Sequence, residues 1–169
     1  MTSREPPSHV RVLVVDDQEN MRRILAAVLR AYGFQDIREA SNGEEALKAI
    51  NDFRPDIVVT DYAMPKLDGI ALARIVRGEP DGRVAQVPIV MVSGHAHHGH
   101  VLAARDAGVN EFVAKPVTGR NLADRIRRIV VEDRVFVRTE SYNGPCRRRH
   151  AMAYDGAERR LAPAYERKD

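Results

Sequence analysis

Five short apolar runs, each followed by a helical pattern, constrain the fold of this 169-residue chain more than any other feature. The run at residues 10–15 is almost wholly apolar, which is typical of a strand covered on both faces, and the run at residues 56–60 is the central apolar strand. A more polar run at residues 35–40 and further runs at residues 88–92 and 110–114 complete the set. Because helices separate the strands, the sheet should be parallel, and the sequence predicts a doubly wound α/β sandwich.

Helical periodicity and capping residues place the helices between these strands. The spacing predicts the first helix over residues 18–32. Its expected core face consists of Ile24, Leu25, Val28, Leu29 and Tyr32. The other helices are predicted after the cap Ser41-Asn42, over residues 67–77, over residues 97–107 and after the cap Thr118, with a polar loop at residues 78–86.

Polar residues follow four of the five predicted strands. Asp16 and Asp17 follow the first strand, Asp61 the third, Ser93 the fourth and Lys115 the fifth. Parallel strands end at the same edge of a sheet, and ligands of open α/β sheets bind in the crevice at that edge. The sequence therefore predicts a cleft that contains carboxylates, a hydroxyl group and an ammonium group.

Each residue type in this cleft suits phosphoryl chemistry. Clustered carboxylates attract a hard cation, and Mg²⁺ takes one or two of them together with phosphoryl oxygens. Asp61 can act as a nucleophile and form an acyl phosphate. Lys115 can offer positive charge to the phosphoryl oxygens, and Ser93 can donate a hydrogen bond.

This pattern of residues resembles a known family. The matching positions are Asp16-Asp17, Asp61, Met64-Pro65, Asp68-Gly69, Ser93, Phe112 and Lys115-Pro116. In this order they are similar to the receiver domains of bacterial response regulators, which have the CheY-like fold. The resemblance covers about residues 9–132.

The resemblance implies a sheet of strand order 2-1-3-4-5 and a specific use of the cleft. Asp61 would accept a phosphoryl group from a histidine kinase or phosphotransfer protein, with Ser93 and Phe112 as the switch pair. It also implies a cis peptide bond between Lys115 and Pro116. The implied Mg²⁺ ligands are Asp17, Asp61 and the backbone carbonyl of Ala63, with Asp16 assisting. The chain would be a phosphoacceptor with at most self-dephosphorylation, and not an independent enzyme.

Composition limits the location and the partners of the chain. No apolar run is long enough to cross a membrane, and the first residues lack the apolar stretch of a secretory signal. Cys146 is the only cysteine, which excludes an internal disulfide and favours the cytoplasm. Residues 134–169 hold nine Lys/Arg against five Asp/Glu, whereas residues 1–133 hold 18 against 19. The basic character therefore belongs to the C-terminal segment and favours an anionic partner.

The sequence suggests an N-terminal arm (1–8), a receiver domain (9–133) and an arginine-rich tail (134–169) that orders on ligand binding. Apart from a short extended piece at residues 135–137, the tail shows no sustained helix or strand period, so we expect an irregular extension. It contains two copies of the pattern Tyr-x-Gly-x-x-Arg-Arg. The residues that repeat are Tyr142, Arg147 and Arg148 in the first copy and Tyr154, Arg159 and Arg160 in the second.

This repeat has the chemistry of a nucleotide site. Arginine matches phosphate and the O6/N7 edge of guanine, and tyrosine and arginine planes stack on bases. The tail resembles the arginine-rich extensions of a group of CheY-like single-domain regulators that bind cyclic di-GMP and act at the flagellar motor or in surface attachment. It departs from them at Cys146, where an acidic residue is common, and at Ala157, which replaces proline.

Two other functions remain open on the sequence alone. The chain could be a plain phosphorelay or adaptor receiver whose basic tail contacts an acidic protein. It could also bind nucleic acid, but DNA is disfavoured because no helix-turn-helix pattern follows the receiver region.

Overall fold

The computed structural model describes residues 9–94, 97–131, 134–146 and 165–166. Its central sheet consists of β1 (Arg11–Val15), β2 (Asp36–Ala40), β3 (Ile57–Asp61), β4 (Ile89–Ser93) and β5 (Glu111–Ala114). All neighbouring strands pair in parallel, in the order β2-β1-β3-β4-β5. The predicted doubly wound fold and its strand order are confirmed.

Helices cover both faces of this sheet. They are α1 (Glu19–Ala31), α2 (Gly43–Phe53), α3 (Gly69–Gly78), the one-turn α4 (Gly82–Ala85), α5 (His98–Asp106) and α6 (Gly119–Val131). One apolar core includes buried residues of α1 and α6, and the second includes buried residues of α2, α3 and α5. The strands supply apolar side chains to both cores, which explains why β1 and β3 are apolar along nearly their whole length.

Side-chain caps fix where several helices begin. The Asn42 side chain accepts a hydrogen bond from the Glu45 N–H at the start of α2. Thr118 Oγ1 accepts one from the Asn121 N–H at the start of α6, 3.2 Å away. Both caps were predicted from the sequence, because such side chains satisfy N–H groups that the first turn of a helix leaves unpaired.

Two local predictions were wrong. The expected polar loop at residues 78–86 contains α4, because the Asp81 side chain accepts a hydrogen bond from the Arg83 N–H and caps a helical turn. Ile24 is 50% exposed and not part of the core face, whereas Leu25, Ala26 and Leu29 are buried. The small Ala26 side chain lets α1 approach the sheet there. Because successive helical residues differ by about 100° in direction, Ile24 then points away from the core.

The C-terminal extension forms a second, antiparallel sheet. Its strands are β6 (Phe136–Arg138), β7 (Asn143–Pro145) and β8 (Tyr165–Glu166), in the order β7-β6-β8. The sequence indicated only the extended piece near β6. Residues 1–8 and 147–164 lie outside the described residues, as do the side chains of Val130 and Val131. In the part of the chain that is described, no helix has the length and apolar character needed to span a bilayer.

Candidate functional site

The carboxyl edge of the central sheet brings the predicted cleft residues together. Asp16 directly follows β1, while Asp61 and Ser93 are the last residues of β3 and β4. All three side chains are buried: Asp16 is 0%, Asp61 6% and Ser93 3% exposed. The parallel register sets Asp61 beside Val92 and Ser93 beside Ala114, so the polar groups lie one step beyond the apolar part of each strand.

Lys115 joins the two buried carboxylates. Its Nζ lies 2.7 Å from Asp61 Oδ1 and 3.2 Å from Asp16 Oδ2. The Lys115 N–H donates to the Ser93 carbonyl at 2.7 Å, which extends the pairing of β4 and β5 beyond the strand end. The Lys115–Pro116 peptide bond is cis, as the family resemblance implied. The ammonium group is thereby held over the acidic end of the sheet.

Burial and charge act in opposite directions on this ion pair. Burial raises the pKa of the Asp61 carboxyl group, and the nearby Asp16 charge adds to that effect, although Lys115 counteracts it. Burial alone would lower the pKa of the Lys115 ammonium group. Hydrogen bonds and charges from Asp61 and Asp16 outweigh this effect, so the pKa of Lys115 is raised. The cleft thus contains a firmly protonated lysine beside a carboxylate that is more basic than an ordinary aspartate.

Backbone groups orient the other carboxylate oxygens. Asp61 Oδ2 accepts from the Ala63 N–H at 3.2 Å, and Asp16 Oδ1 accepts from the Gln18 N–H at 2.9 Å. The Gly69 N–H donates to the Tyr62 carbonyl at 3.0 Å, which closes the loop after β3. A Cβ atom at residue 69 would collide with the Asp61 carbonyl oxygen, so glycine permits the close approach of α3 to the cleft.

The acidic residues offer two carboxylates for a cation. Within residues 9–94, 97–131 and 134–146, no three His, Cys, Asp or Glu side chains are grouped as a metal site. Asp16 and Asp61 share the Lys115 ammonium, and Asp17, the next residue after Asp16, is exposed. Two neighbouring carboxylates still suit Mg²⁺, because this ion keeps waters and needs few protein ligands.

The remaining predicted residues occupy two places. Phe112 lies on β5 beside Met91, half-buried and packed against the core that includes Ala104. Tyr142 lies in the extension, where its hydroxyl donates to the Pro145 carbonyl at 2.7 Å. The other tail residues of the predicted nucleotide site lie outside the described residues: Arg147, Arg148, Tyr154, Arg159 and Arg160.

The sequence reading missed a buried cation at the end of α3. Arg77 is 2% exposed, and its guanidinium donates to three carbonyl oxygens and to Asn110 Oδ1. Burial lowers the pKa of Arg77 to about 10, so the group stays charged at neutral pH. A signal was present, because Arg77 falls at helical spacing from Ile70 and Ala73, on the apolar face of α3.

An aromatic contact beside the cleft was also missed. Tyr62, the residue after Asp61, stacks on His100 with 4.4 Å between ring centroids and 21° between planes. His97 meets His100 edge-on at 5.8 Å. These contacts tie the start of α5 to the loop that carries the acidic site.

Comparison with known proteins agrees with this geometry. Residues 12–127 match the family model of the response regulator receiver domain. The chain is 39% identical over 120 residues to the chemotaxis protein CheY of Pseudomonas aeruginosa, covering 71% of this chain and 95% of that protein. It is 35% identical over 121 residues to the chemotaxis protein CheY-3 of Vibrio cholerae, covering 72% and 92%.

Solved structures show the same architecture. The signal receiver domain of a histidine kinase from Syntrophus aciditrophicus superposes with a TM-score of 0.66 at 29% identity, over 78% of this chain and 96% of that one. A response regulator from Desulfuromonas acetoxidans gives 0.64 at 30% identity, over 72% and 97%. With the family model matching more than half of its length, the chain belongs to the response regulator receiver family.

Proposed function

We propose that this protein is a response regulator whose phosphoacceptor is Asp61. The observation that carries the proposal is the Lys115 ammonium, 2.7 Å from Asp61 and 3.2 Å from the buried Asp16. A carboxylate whose pKa is raised by burial is a better nucleophile than an exposed one. The adjacent Lys115 ammonium can stabilise the negative charge that develops on the phosphoryl oxygens.

The proposed reaction is a displacement at phosphorus. An Asp61 carboxylate oxygen attacks the phosphorus of a phosphohistidine on a histidine kinase or phosphotransfer protein. The new oxygen–phosphorus bond forms as the nitrogen–phosphorus bond breaks, and the imidazole leaves with the electron pair. Lys115 then contacts the phosphoryl oxygens, and Ser93 at the end of β4 donates its hydroxyl to them.

Receiver domains use Mg²⁺ for this transfer, and we assign its protein ligands here to Asp16, Asp17, Asp61 and the carbonyl of Ala63. The bound cation would offset charge on the transferring group. Asp16 and Asp61 support the assignment, because both carboxylates lie within 3.2 Å of the same Lys115 ammonium and are therefore close to each other. Asp17 adds an exposed carboxylate directly after Asp16, and Mg²⁺ commonly keeps several waters beside such a ligand.

Incubation of the protein with acetyl phosphate and Mg²⁺ tests the phosphoacceptor. One phosphoryl mass should appear by mass spectrometry, and Asp61→Asn should abolish it because the amide is not a nucleophile. Asp52→Asn, at an exposed position of α2, is the matched control and should label like the wild type. Labelling that persists in Asp61→Asn would refute the assignment.

We further propose that the tail binds cyclic di-GMP and thereby controls contact with a protein partner such as the flagellar motor switch. The repeated Tyr-x-Gly-x-x-Arg-Arg pattern and the excess of basic residues after residue 133 support this proposal. The ligand would contact Tyr142, Arg147, Arg148, Tyr154, Arg159 and Arg160. Cyclic di-GMP presents two guanines and two phosphates, which suit arginine forks and stacked tyrosine rings.

The names of two relatives support motility as the setting. The relatives from Pseudomonas aeruginosa and Vibrio cholerae are named chemotaxis proteins. The proposed output is a direct protein contact made in the cytoplasm. Tyr142 is held by its hydrogen bond to the Pro145 carbonyl, immediately before the first arginine pair.

Calorimetric titration of the full-length protein with cyclic di-GMP tests the tail. Arg147→Ala with Arg148→Ala should weaken binding about tenfold or more, since one bidentate arginine–guanine pair is worth about 1–3 kcal/mol. Arg74→Ala, at an exposed position of α3, is the control and should bind like the wild type. Equal affinity for cyclic di-AMP, or none for either nucleotide, would instead favour an adaptor whose basic tail contacts an acidic protein.

A further inference from the structure

The first part of the C-terminal extension, residues 134–146, is packed on the receiver domain; we call it the C-terminal hairpin. Arg134 Nη1 donates to the Asn110 carbonyl at 3.1 Å, just before β5. The Asn143 side-chain amide donates to the Arg77 carbonyl at the end of α3. The hairpin is therefore attached at the turn between α5 and β5 and at the end of α3.

Close backbone contact and a buried cation reinforce this attachment. A Cβ atom on Gly144 would lie 2.7 Å from the Gly108 Cα, so the two glycines allow the backbones to touch. Gly108 has φ +83°, a conformation that favours glycine. The Arg77 guanidinium lies 5.5 Å from the centroid of the Phe136 ring. Arg77 thus connects the hairpin to the receiver core.

A cavity of about 130 Å³ separates the hairpin from the predicted switch residue. Phe112 lines it from β5, and Tyr142, Pro145 and Arg134 line it from the hairpin. The other wall consists of Val101, Ala104, Arg105, Val109, Asn110 and Glu111. Any change in the position of the Phe112 ring therefore changes the space against which the hairpin packs.

The attachment also contains uncompensated polar groups. In the described part of the chain, Arg134 Nε and Asn143 Oδ1 are buried side-chain atoms without a hydrogen-bond partner. Such groups oppose burial, because water would satisfy them if the hairpin separated from the receiver. The free energy that favours the attached hairpin over the separated one is consequently smaller than the contacts alone would suggest.

From these observations we infer that the C-terminal hairpin is a releasable element that reads the phosphorylation state of Asp61 through Phe112. The inference rests on the proposed function of Asp61 and of the switch pair. When Ser93 moves toward the phosphoryl group, the Phe112 ring turns inward and changes the shape of the cavity that it lines together with the hairpin. The attached hairpin is weakened, and Tyr142 becomes free to meet a ligand.

Thermodynamic linkage makes the effect reciprocal. If phosphorylation weakens hairpin attachment by a given factor, release of the hairpin must favour the phosphorylated form by the same factor. Coupling between sites in proteins is commonly fivefold or greater, and we expect about fivefold here. The tail proposed to bind the nucleotide and the cleft proposed to accept the phosphoryl group would then regulate each other.

Beryllofluoride with Mg²⁺, a phosphoryl mimic, tests this on the full-length protein by nuclear magnetic resonance. The Arg134 Nη1–H, which donates to the Asn110 carbonyl, and the Asn143 side-chain amide report the attachment, and the Ala63 N–H, which donates to Asp61, reports the cleft. We expect solvent exchange at the first two groups to accelerate about fivefold or more on addition of the mimic. A shift at Ala63 and Phe112 with unchanged exchange at Arg134 and Asn143 would overturn the inference.

Failure of the underlying function gives a different result, because the Ala63 signal itself would then not respond to beryllofluoride.

Gly144→Ala provides the reverse test, since the new methyl group would collide with Gly108 and with the Tyr142 ring. This variant should bind beryllofluoride about fivefold more tightly than the wild type. Gly99→Ala is the matched control, because a Cβ atom there meets nothing within 4 Å, and its affinity should not change.

Asn143→Ala covers the case in which Gly144→Ala does not fold. It removes one hydrogen bond to Arg77 without adding volume, and should shift beryllofluoride affinity in the same direction. Folding of each variant is checked by circular dichroism. Unchanged beryllofluoride affinity in a folded Gly144→Ala or Asn143→Ala protein would refute the coupling.

Discussion

Replacement of Arg77 by methionine should destabilise the protein far more than its position near the end of a helix would suggest. The guanidinium donates at 2.9 Å to the Gly108 carbonyl, at 2.7 Å to Ala85, at 2.8 Å to Val87 and at 3.0 Å to Asn110 Oδ1. Methionine fills a similar volume but has no donor. All four acceptors would then lose this partner in the interior.

The magnitude follows from two opposing contributions. A hydrogen bond from a charged donor contributes about 1.5–3 kcal/mol, so four of them contribute roughly 6–12 kcal/mol. Removing the cation also removes the cost of burying it, which is several kcal/mol. We therefore expect the free energy of unfolding to fall by about 2–4 kcal/mol, a large part of the 5–15 kcal/mol typical of a domain.

Urea denaturation followed by circular dichroism measures this change. With a denaturant slope of about 2 kcal/mol per molar, the midpoint should fall by about 1–2 M. Arg74→Met is the matched control, because Arg74 is an exposed residue of the same helix, and its midpoint should stay near that of the wild type. A loss below about 1 kcal/mol for Arg77→Met would show that its hydrogen bonds barely exceed the cost of its burial.

Further substitutions test the cleft and one helix. Lys115→Met should raise the pKa of Asp61 further in metal-free protein, because the lysine lowers it; a carbon-13 titration that shows no rise would refute this. As the pH is lowered, Lys115→Met should therefore lose phosphorylation at a higher pH than the wild type, because its Asp61 becomes protonated earlier. Gly69→Ala should slow labelling by acetyl phosphate about a hundredfold through displacement of the Asp61 backbone, while Gly78→Ala, where a Cβ meets nothing, labels normally. Asn42→Ala should lower the free energy of unfolding by about 1 kcal/mol in urea, through loss of the cap on α2.

The receiver part of the fold was predictable because its sequence signals are local and repeated. Apolar runs alternate with helical patterns, and each strand ends at a residue of distinct chemistry, such as Asp61 or Lys115. The parallel topology then brings these ends to one edge without any further information. Contacts such as the bridge from Lys115 to Asp16 follow from that arrangement, although their distances do not.

The predictions failed where a single side chain decides the structure. The short helix α4 depends on the Asp81 cap inside a polar stretch that looks like a loop. Exposure of Ile24 depends on how closely the neighbouring Ala26 lets α1 approach the sheet. The packing of residues 134–146 depends on contacts with Gly108, Asn110 and Arg77, which are distant from the extension in sequence.

The attachment of the C-terminal hairpin changes how this protein should be divided for expression or fusion. A chain cut after α6 at residue 133, the boundary suggested by sequence, would lose Arg134 and Asn143 and uncover the Phe136 side of Arg77. A comparison of this fragment with the full-length protein would therefore mix two effects. The fragment would differ in the stability of its receiver domain as well as in its affinity for the nucleotide. Point substitutions in the intact chain avoid this confusion, and a fluorescent or affinity tag is better joined ahead of residue 9 than after the last helix.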